Sequence, residues 1–432
     1  MDPTTTAIFI LVGVFFLLVF KGVHIAFAIG FASVLTTLYL GLPLQTVAQN
    51  MVKGVNVFAF LAVPFFILAG EIMGAGGISN RLIKLSDALV GWMRGGLAMV
   101  NIVASMFFGG ISGSSSADTS SIGSILIPMM KKNGYDGDFA TTVTMASSVQ
   151  GILIPPSQNA VIFALVAGSV SIGRLFLAGM LPGILLGFAL MVYSYYVAVK
   201  RNYPVGEKFS VGRAMKATGD AVWGLGTVMI VVVGVIAGVF TPTEAAAIAV
   251  VYSFVITFFV YREIPLSALG GILTRSLKTL SIVMVLVAMA SAFGWLVAYL
   301  QIPVVLANFI LGISTNKIVI LLVINLLLLV MGTMMDMASL ILILTPILIP
   351  ITTQIGVDPV HFGVIMILNL GIGLITPPVG STLFIGSAIA DISMEQLSKA
   401  MIPFYIVMII TLLVITFVPG IVMFLPNLLM PV

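Results

Sequence analysis

Apolar runs long enough to cross a bilayer follow one another along the whole chain, separated by short polar links. Spanning the hydrocarbon takes roughly 20 apolar residues in helix. The pattern predicts helices over residues 6–20, 24–40 and 57–73, with a less apolar arm over 43–56. Residues 78–92 carry Arg81, Lys84 and Asp87 among leucines at helical spacing, which fits a helix lying in the membrane interface. An apolar hairpin follows over 97–132, its tip at 109–116 reading GGISGSSS. The helix over 139–170 is then broken at Pro155-Pro156. Helices over 175–199 and 222–240 enclose a polar link at 202–216. The next helix, 243–261, opens on Thr241-Pro242-Thr243-Glu244, a cap with proline and an acid in the first turn. The plan then returns as an arm (265–278), a crossing (280–300), a surface helix (303–312), a hairpin (317–353) with its tip at 332–336, a broken helix (360–389) and a final helix (400–425).

The return keeps register. Pro128 of one ILIP matches Pro350 of a second, Gly134 matches Gly356, Asp136 matches Asp358 and Pro155-Pro156 match Pro377-Pro378, all 222 positions apart. Pro43 and Pro265 obey the same offset. The chain therefore reads as a duplication: an N-terminal helix (1–21), a first unit (22–182), linking helices (183–243), a second unit (244–404) and a C-terminal helix (405–432). Five crossings separate the hairpins, so the second unit is expected upside down relative to the first. With both termini outside, fifteen of the 18 Lys and Arg residues fall on the cytoplasmic side, and only Lys53, Arg174 and Lys317 fall outside. That bias is the positive-inside pattern. The fold class expected is an all-α polytopic membrane protein, an inverted repeat with two re-entrant hairpins and two broken transmembrane helices.

Composition agrees and removes alternatives. Hydrophobic residues make up 60% of the chain and charged residues 7%, against about a quarter charged in soluble domains. Mean hydropathy is +1.25. There is no cysteine, which excludes disulfide and thiol chemistry. The net charge of +4 is explained by topology and calls for no nucleic acid. No basic residue precedes the first apolar run, so the first helix is expected to be retained rather than cleaved. No G-x-x-x-x-G-K-[ST] phosphate loop is present, which argues against an ATP-driven pump.

In hydrocarbon, non-helical backbone is tolerated only where protein buries it or where it lines a cavity. An inverted repeat with broken helices is the plan of secondary transporters. Half-helix N-termini favour anionic groups, and C-terminal carbonyls with Ser and Thr hydroxyls suit a bare cation. The tip around Ser112 and Ser114, facing the break from Gly151 to Pro155, is thus a candidate Na⁺ site. Gly332 and Thr333, facing the break from Gly373 to Pro377, form a second. Between them Ser116, Ser157, Gln158, Asn159, Thr376, Gly380, Ser381 and Thr382 are substrate candidates, with Asp336 at the second tip. Asp118 is read as a cap of the return limb, Glu71 as an acid near a helix end that meets water or a partner subunit, and Arg174 as an interfacial anchor. His24 and His361 are read as peripheral. Gly179, Gly183 and Gly187 are read as helix-packing residues. One enzymatic rival is the G-x-S-G at Gly110 to Gly113, the motif of rhomboid intramembrane proteases; His361 is the only later histidine. The topology places it roughly 15 Å from Ser112 in depth, given a hydrocarbon core of about 30 Å. That is beyond the reach of a general base. A channel and a proton-coupled transporter are the other rivals.

GGISGSSSADTSSIGSILIPMM, GILIPPSQNAVIFALVAG, FTPTEAAAIAV and NLGIGLITPPVGSTLF resemble the large membrane subunit of tripartite ATP-independent periplasmic (TRAP) transporters, over essentially the full length. The resemblance implies a sodium-driven importer, not an enzyme, for organic anions such as C4-dicarboxylates or sialic acid. It implies an elevator movement, a four-helix small membrane subunit, a periplasmic substrate-binding protein and a place in the bacterial inner membrane. It also implies two or more coupling Na⁺ ions, held where tips meet breaks. These positions are Ser112, Ser114, Gly151 and Pro155 in one half, and Gly332, Thr333, Gly373 and Thr376 in the other.

Overall fold

Capped apolar segments account for nearly all of the secondary structure. The computed structural model describes residues 3–313 and 316–431, so Met1 and Asp2, ahead of the first helix, lie outside it. Among the described residues every regular element is helical. The first unit contains α2 (Ile25–Tyr39), α3 (Gln45–Val55), α4 (Ala62–Ala75), α5 (Ile78–Val90), α6 (Gly96–Ser112), α7 (Ser115–Lys132), α8 (Gly137–Gly151) and α9 (Gln158–Ala167) after α1 (Pro3–Phe20). Next come α10 (Ile172–Lys200), α11 (Val211–Ile236) and α12 (Pro242–Val255), the last opened by a capping box between Thr241 and Glu244. The second unit contains α13 (Leu269–Tyr299), α14 (Ile302–Ile313), α15 (Lys317–Gly332), α16 (Met337–Gln354), α17 (Pro359–Leu374) and α18 (Ser381–Ala390), followed by α19 (Met394–Phe417) and α20 (Pro419–Leu429). Seven described helices are long and apolar enough to span a bilayer singly. The hairpin limbs and the halves of the broken helices are mostly shorter. α4 and α5 are bent 71° from one another, which turns α5 away from the crossing before it.

The 222-residue register extends to element boundaries. α7 and α16 begin at Ser115 and Met337 and end at Lys132 and Gln354; α8 and α17 begin at Gly137 and Pro359; α10 and α19 begin at Ile172 and Met394. Both Pro-Pro bonds, Pro155-Pro156 and Pro377-Pro378, are cis. Four expectations change. The arm and crossing of the second unit are one helix, α13, whereas a 3₁₀ turn at Phe58–Leu61 separates α3 from α4. The single helix expected over 400–425 starts earlier and is cut before Pro419, whose ring removes a donor and clashes with the preceding turn. The link expected over 202–216 is shorter, because α11 starts at Val211. The helix expected over 243–261 turns from α to π geometry at its end, over Ile256–Tyr261.

Packing is reciprocal between the halves. α6 lies on α8 and α15 on α17, so each entering limb rests on the first half of its own unit's broken helix. α7 lies on α18 and α16 on α9, so each return limb rests on the second half of the other unit's. α2, α3 and α4 pack against α13, and α4 also against α12. Two buried asparagines find partners on neighbouring helices, which offsets the cost of burying an amide in a low-dielectric surround. Asn101 Nδ2 donates to Thr144 Oγ1 at 2.6 Å, and Asn369 Nδ2 to Asn325 Oδ1 at 2.8 Å. At the foot of the first hairpin, Asp136 Oδ2 accepts from Tyr203 Oη at 2.6 Å and Arg201 Nη1 at 2.7 Å. Those donors hold the Asp136 carboxyl below the ordinary carboxylate range. His361, expected at the periphery, is instead buried, with Nε2 2.9 Å from the Ile415 carbonyl oxygen. Arg174 Nη2 donates to Asn427 Oδ1 at 3.2 Å, tying α10 to α20.

Substituting glycines tests this packing. A Cβ on Gly373 would sit 2.6 Å from Gly332 Cα, backbone that cannot swing aside, whereas one on Gly294, inside α13, meets nothing within 4 Å. Gly373→Ala is expected to destabilise the purified protein by about 1–3 kcal/mol, and Gly294→Ala to stabilise it by up to ~1 kcal/mol. Thermal unfolding of the two variants beside the parent checks both signs.

Candidate functional site

The site is built where glycines let two backbones touch. In the first half Gly109, near the end of α6, crosses Gly151, the last residue of α8, and a Cβ on Gly151 would lie 2.7 Å from Gly109 Cα. The tip then leans along the break: a Cβ on Gly110 would reach the Pro155 carbonyl oxygen at 3.0 Å, and one on Gly113 the Pro156 carbonyl oxygen at 3.1 Å and the Gln158 nitrogen at 3.0 Å. Gly113 sits at φ +59°, a left-handed turn that a side chain would strain. Thus the tip that carries Ser112 and Ser114 lies along the break that runs from Gly151 to Pro155. The break is closed from behind by α10, whose Gly179, Gly183 and Gly187 face Leu153, Ile154 and Gln150, the packing role expected of them.

The second half repeats the device one position out of step. By the offset Gly332 corresponds to Gly110, yet it is Gly332 that crosses Gly373, with a Cβ on Gly332 3.2 Å from Gly373 Cα. The Val379 nitrogen donates to the Thr333 carbonyl at 3.1 Å and stitches this tip to its break. Gly332 is therefore brought against Gly373, and Thr333 against the stretch that follows Thr376. The hydroxyls are oriented in a consistent way: Thr333 Oγ1 donates to the Val330 carbonyl at 2.8 Å and Thr376 Oγ1 to the Ile372 carbonyl at 2.7 Å. Each spends its one proton on a helix carbonyl.

The return limbs start alike. Ser114 caps α7, its side chain accepting from the Ala117 nitrogen at 3.4 Å, and Asp336, at the corresponding position, caps α16 by accepting from Ala338 at 3.0 Å and Ser339 at 3.4 Å. Asp118, read as the cap of α7, is therefore not the cap: it lies one turn inside, buried, with neither carboxylate oxygen hydrogen-bonded. Among the substrate candidates, Ser157 caps α9 through the Ala160 nitrogen at 3.4 Å, Asn159 is buried, Gly380 is left-handed at φ +41° ahead of α18, and Ser381 is exposed. Ser116 Oγ lies 3.5 Å from Thr382 Oγ1, which is also 3.1 Å from Ser115 Oγ, itself 2.6 Å from Ser148 Oγ. That cluster joins the halves, and Ser115 and Ser148 were not singled out from the sequence.

A cavity of about 560 Å³ opens beside the first tip, lined by Ser112, Ser114, Ser116 and Gln158 on one wall. Ser157, Asn159, Asp336, Thr376, Gly380, Ser381 and Thr382 do not line it. The opposite wall is Gly70, Glu71 and Gly74 of α4 with Arg275 and Thr279 of α13, none of which the sequence reading assigned to the site. Glu71, expected to meet water or a partner subunit, pairs with Arg275 at 3.1 Å. The one visible hint was an acid flanked by glycines in an apolar run.

The fold is shared with a membrane transporter. The crystal structure of the Alcanivorax borkumensis YdaH transporter superposes with a TM-score of 0.64 at 15% identity, covering 96% of this chain and 98% of that one. The sequence makes the class specific: the family model for the tripartite ATP-independent periplasmic transporter, DctM component, matches residues 12–421. The chain belongs to that family. It is 43% identical over 418 residues to the isethionate TRAP transporter permease protein DctMQ of Oleidesulfovibrio alaskensis, covering 96% of this chain and 66% of that protein. It is 40% identical over 412 residues to the sialic acid TRAP transporter large permease protein SiaM of Vibrio cholerae, covering 95% and 96%. The protein is thus a multi-pass membrane permease and the large component of a tripartite transporter. The G-x-S-G reading of Ser112 as a protease nucleophile falls with that assignment.

The cap at the second tip is open to test. Asp336→Ala removes the acceptor for two N–H groups and is expected to lower stability by about 1 kcal/mol, whereas Asp336→Asn keeps an oxygen there and is expected to cost much less. Thermal unfolding of both variants reads the difference; equal stability of the two contradicts the cap.

Proposed function

We propose that this protein is the sodium-coupled permease of an importer for a small organic anion. It would work in the bacterial inner membrane with a four-helix small membrane subunit and a periplasmic binding protein that delivers the substrate, both termini lying in the periplasm. The observation that carries the reading is the pair of backbone crossings, Gly109 on Gly151 and Gly332 on Gly373. At each, a hairpin tip and a helix end bring carbonyls and hydroxyls together, a donor set suited to Na⁺ and repeated once in each half. The first Na⁺ is assigned to Ser112, Ser114, Gly151 and Pro155, the second to Gly332, Thr333, Gly373 and Thr376. The substrate is assigned to the space between, with Ser116, Ser157, Asn159, Asp336, Gly380 and Ser381 as its surroundings.

Relatives that carry sialic acid and isethionate in their names support an acidic substrate, a carboxylate or a sulfonate, and a C4-dicarboxylate belongs to the same class. The cross-braced hairpins and broken helices form one packing unit, and α2, α3, α4, α12 and α13 form another. That division supports an elevator in which the first slides along the second.

Sodium binding is testable without substrate or partner. Thermal unfolding in sodium chloride against choline chloride at equal ionic strength is expected to show a sodium-specific stabilisation, about 2.7 kcal/mol at a hundredfold excess over Kd. Ser114→Ala and Thr376→Ala are each expected to reduce it. Equal stability in the two salts removes the sodium assignment, and an undiminished effect in both variants removes the two sites.

A further inference from the structure

The cavity beside the first tip holds an ion pair that the sodium sites do not use. Of the residues lining it, only Glu71 and Arg275 are charged, and both stand on the wall opposite the hydroxyls of Ser112, Ser114 and Ser116. Arg275 Nε is 3.1 Å from Glu71 Oε2. Among the described residues neither Nη atom of Arg275 has a hydrogen-bond partner, so the guanidinium is held by one edge and its outer edge is unoccupied. A guanidinium fork matches a carboxylate or sulfonate with two parallel N–H···O bonds. The Arg275 side chain is 56% exposed and that of Glu71 32%, and ion pairs open to water are weakly held. Gly70 and Gly74 flank Glu71 on the same face of α4, and a Cβ on Gly74 would meet nothing within 4 Å, so this wall is open enough for a ligand to lie along it. A volume of about 560 Å³ suits a small organic molecule.

We propose that Arg275 is the residue of the cavity that recognises the substrate's acid group, and that Glu71 is a built-in competitor which that group displaces. The inference rests on the organic-anion reading above and gives it a specific cation. In the empty cavity Glu71 neutralises Arg275 and keeps it extended toward the hairpin. An incoming acid takes the free Nη edge and weakens the hold of Glu71, while the serine hydroxyls opposite donate to the rest of the substrate. Neither residue belongs to a hairpin or a broken helix. The contact is therefore made only while the tip stands beside α4 and α13, and it is left behind when the tip moves away.

The two halves of one ion pair are expected to respond with opposite signs, which loss of a merely structural pair does not produce. The test is equilibrium binding of radiolabelled N-acetylneuraminate, isethionate and succinate to the purified membrane complex, large and small subunits together, in saturating sodium. For whichever probe the parent binds, Arg275→Gln is expected to raise Kd by about tenfold or more, the worth of a hydrogen bond between charged groups. Arg275→Lys is expected to recover part of the loss, since it restores the charge without the fork. Glu71→Gln is expected to lower Kd. Retained sodium-dependent thermal stabilisation in each variant shows that the fold is intact. Shifts in the same direction for Arg275→Gln and Glu71→Gln, or an unchanged Kd in both, overturn the proposal. A parent complex that is stabilised by sodium yet binds none of the three probes overturns the organic-anion reading beneath it.

Discussion

Lipid offers no hydrogen bonds, so every break in a membrane helix must find its partners within the protein. In this permease the condition is met by contact between backbones. The end of each entering limb meets the end of a broken helix's first half at a glycine on both sides, because any side chain there would hold the two main chains apart. Such closeness lets helix ends that lack intrahelical partners face one another and the neighbouring hydroxyls instead of lipid. A stripe of small residues on α10 seals the first break from behind, and a hydrogen bond from Val379 to Thr333 stitches the second.

Reciprocal packing makes these junctions interdependent. Each return limb lies against the far half of the other unit's broken helix, so neither unit encloses its own site alone. Ser115, Ser116, Ser148 and Thr382 form the hydroxyl cluster where the halves meet. The halves are nonetheless not copies. Ser114 and Asp336 cap corresponding helices with different charge, and the glycine crossing is shifted by one residue. Asp118 has no acidic counterpart, since the offset places Leu340 there. One cavity wall carries the Glu71–Arg275 pair.

Much of this was legible in the sequence because glycine and proline punctuate membrane helices strongly. The tips, the breaks at Pro155-Pro156 and Pro377-Pro378, and the 222-residue register are visible by eye, and helix starts at Ser115 and Met337 keep it. Continuity was harder to read. The arm and crossing of α13 are both apolar enough to be helix, and no residue between them announces whether the chain bends. The burial of His361 and the pairing of Glu71 with Arg275 were also hidden, since each depends on a contact with a distant helix: His361 on the backbone of Ile415, Glu71 on a residue 204 positions away. Hydrophobic periodicity reports which face of a helix is apolar, not which helix lies against it.

We propose that the two glycine crossings build two separate cation sites. Counting bound ions tests it most directly, by equilibrium binding of sodium-22 to the purified protein. Two saturable ions per chain are expected in the parent, one in Gly109→Ala and one in Gly373→Ala, each variant keeping the ion of the crossing it leaves intact. No saturable binding in the parent, or two ions retained in both variants, contradicts it.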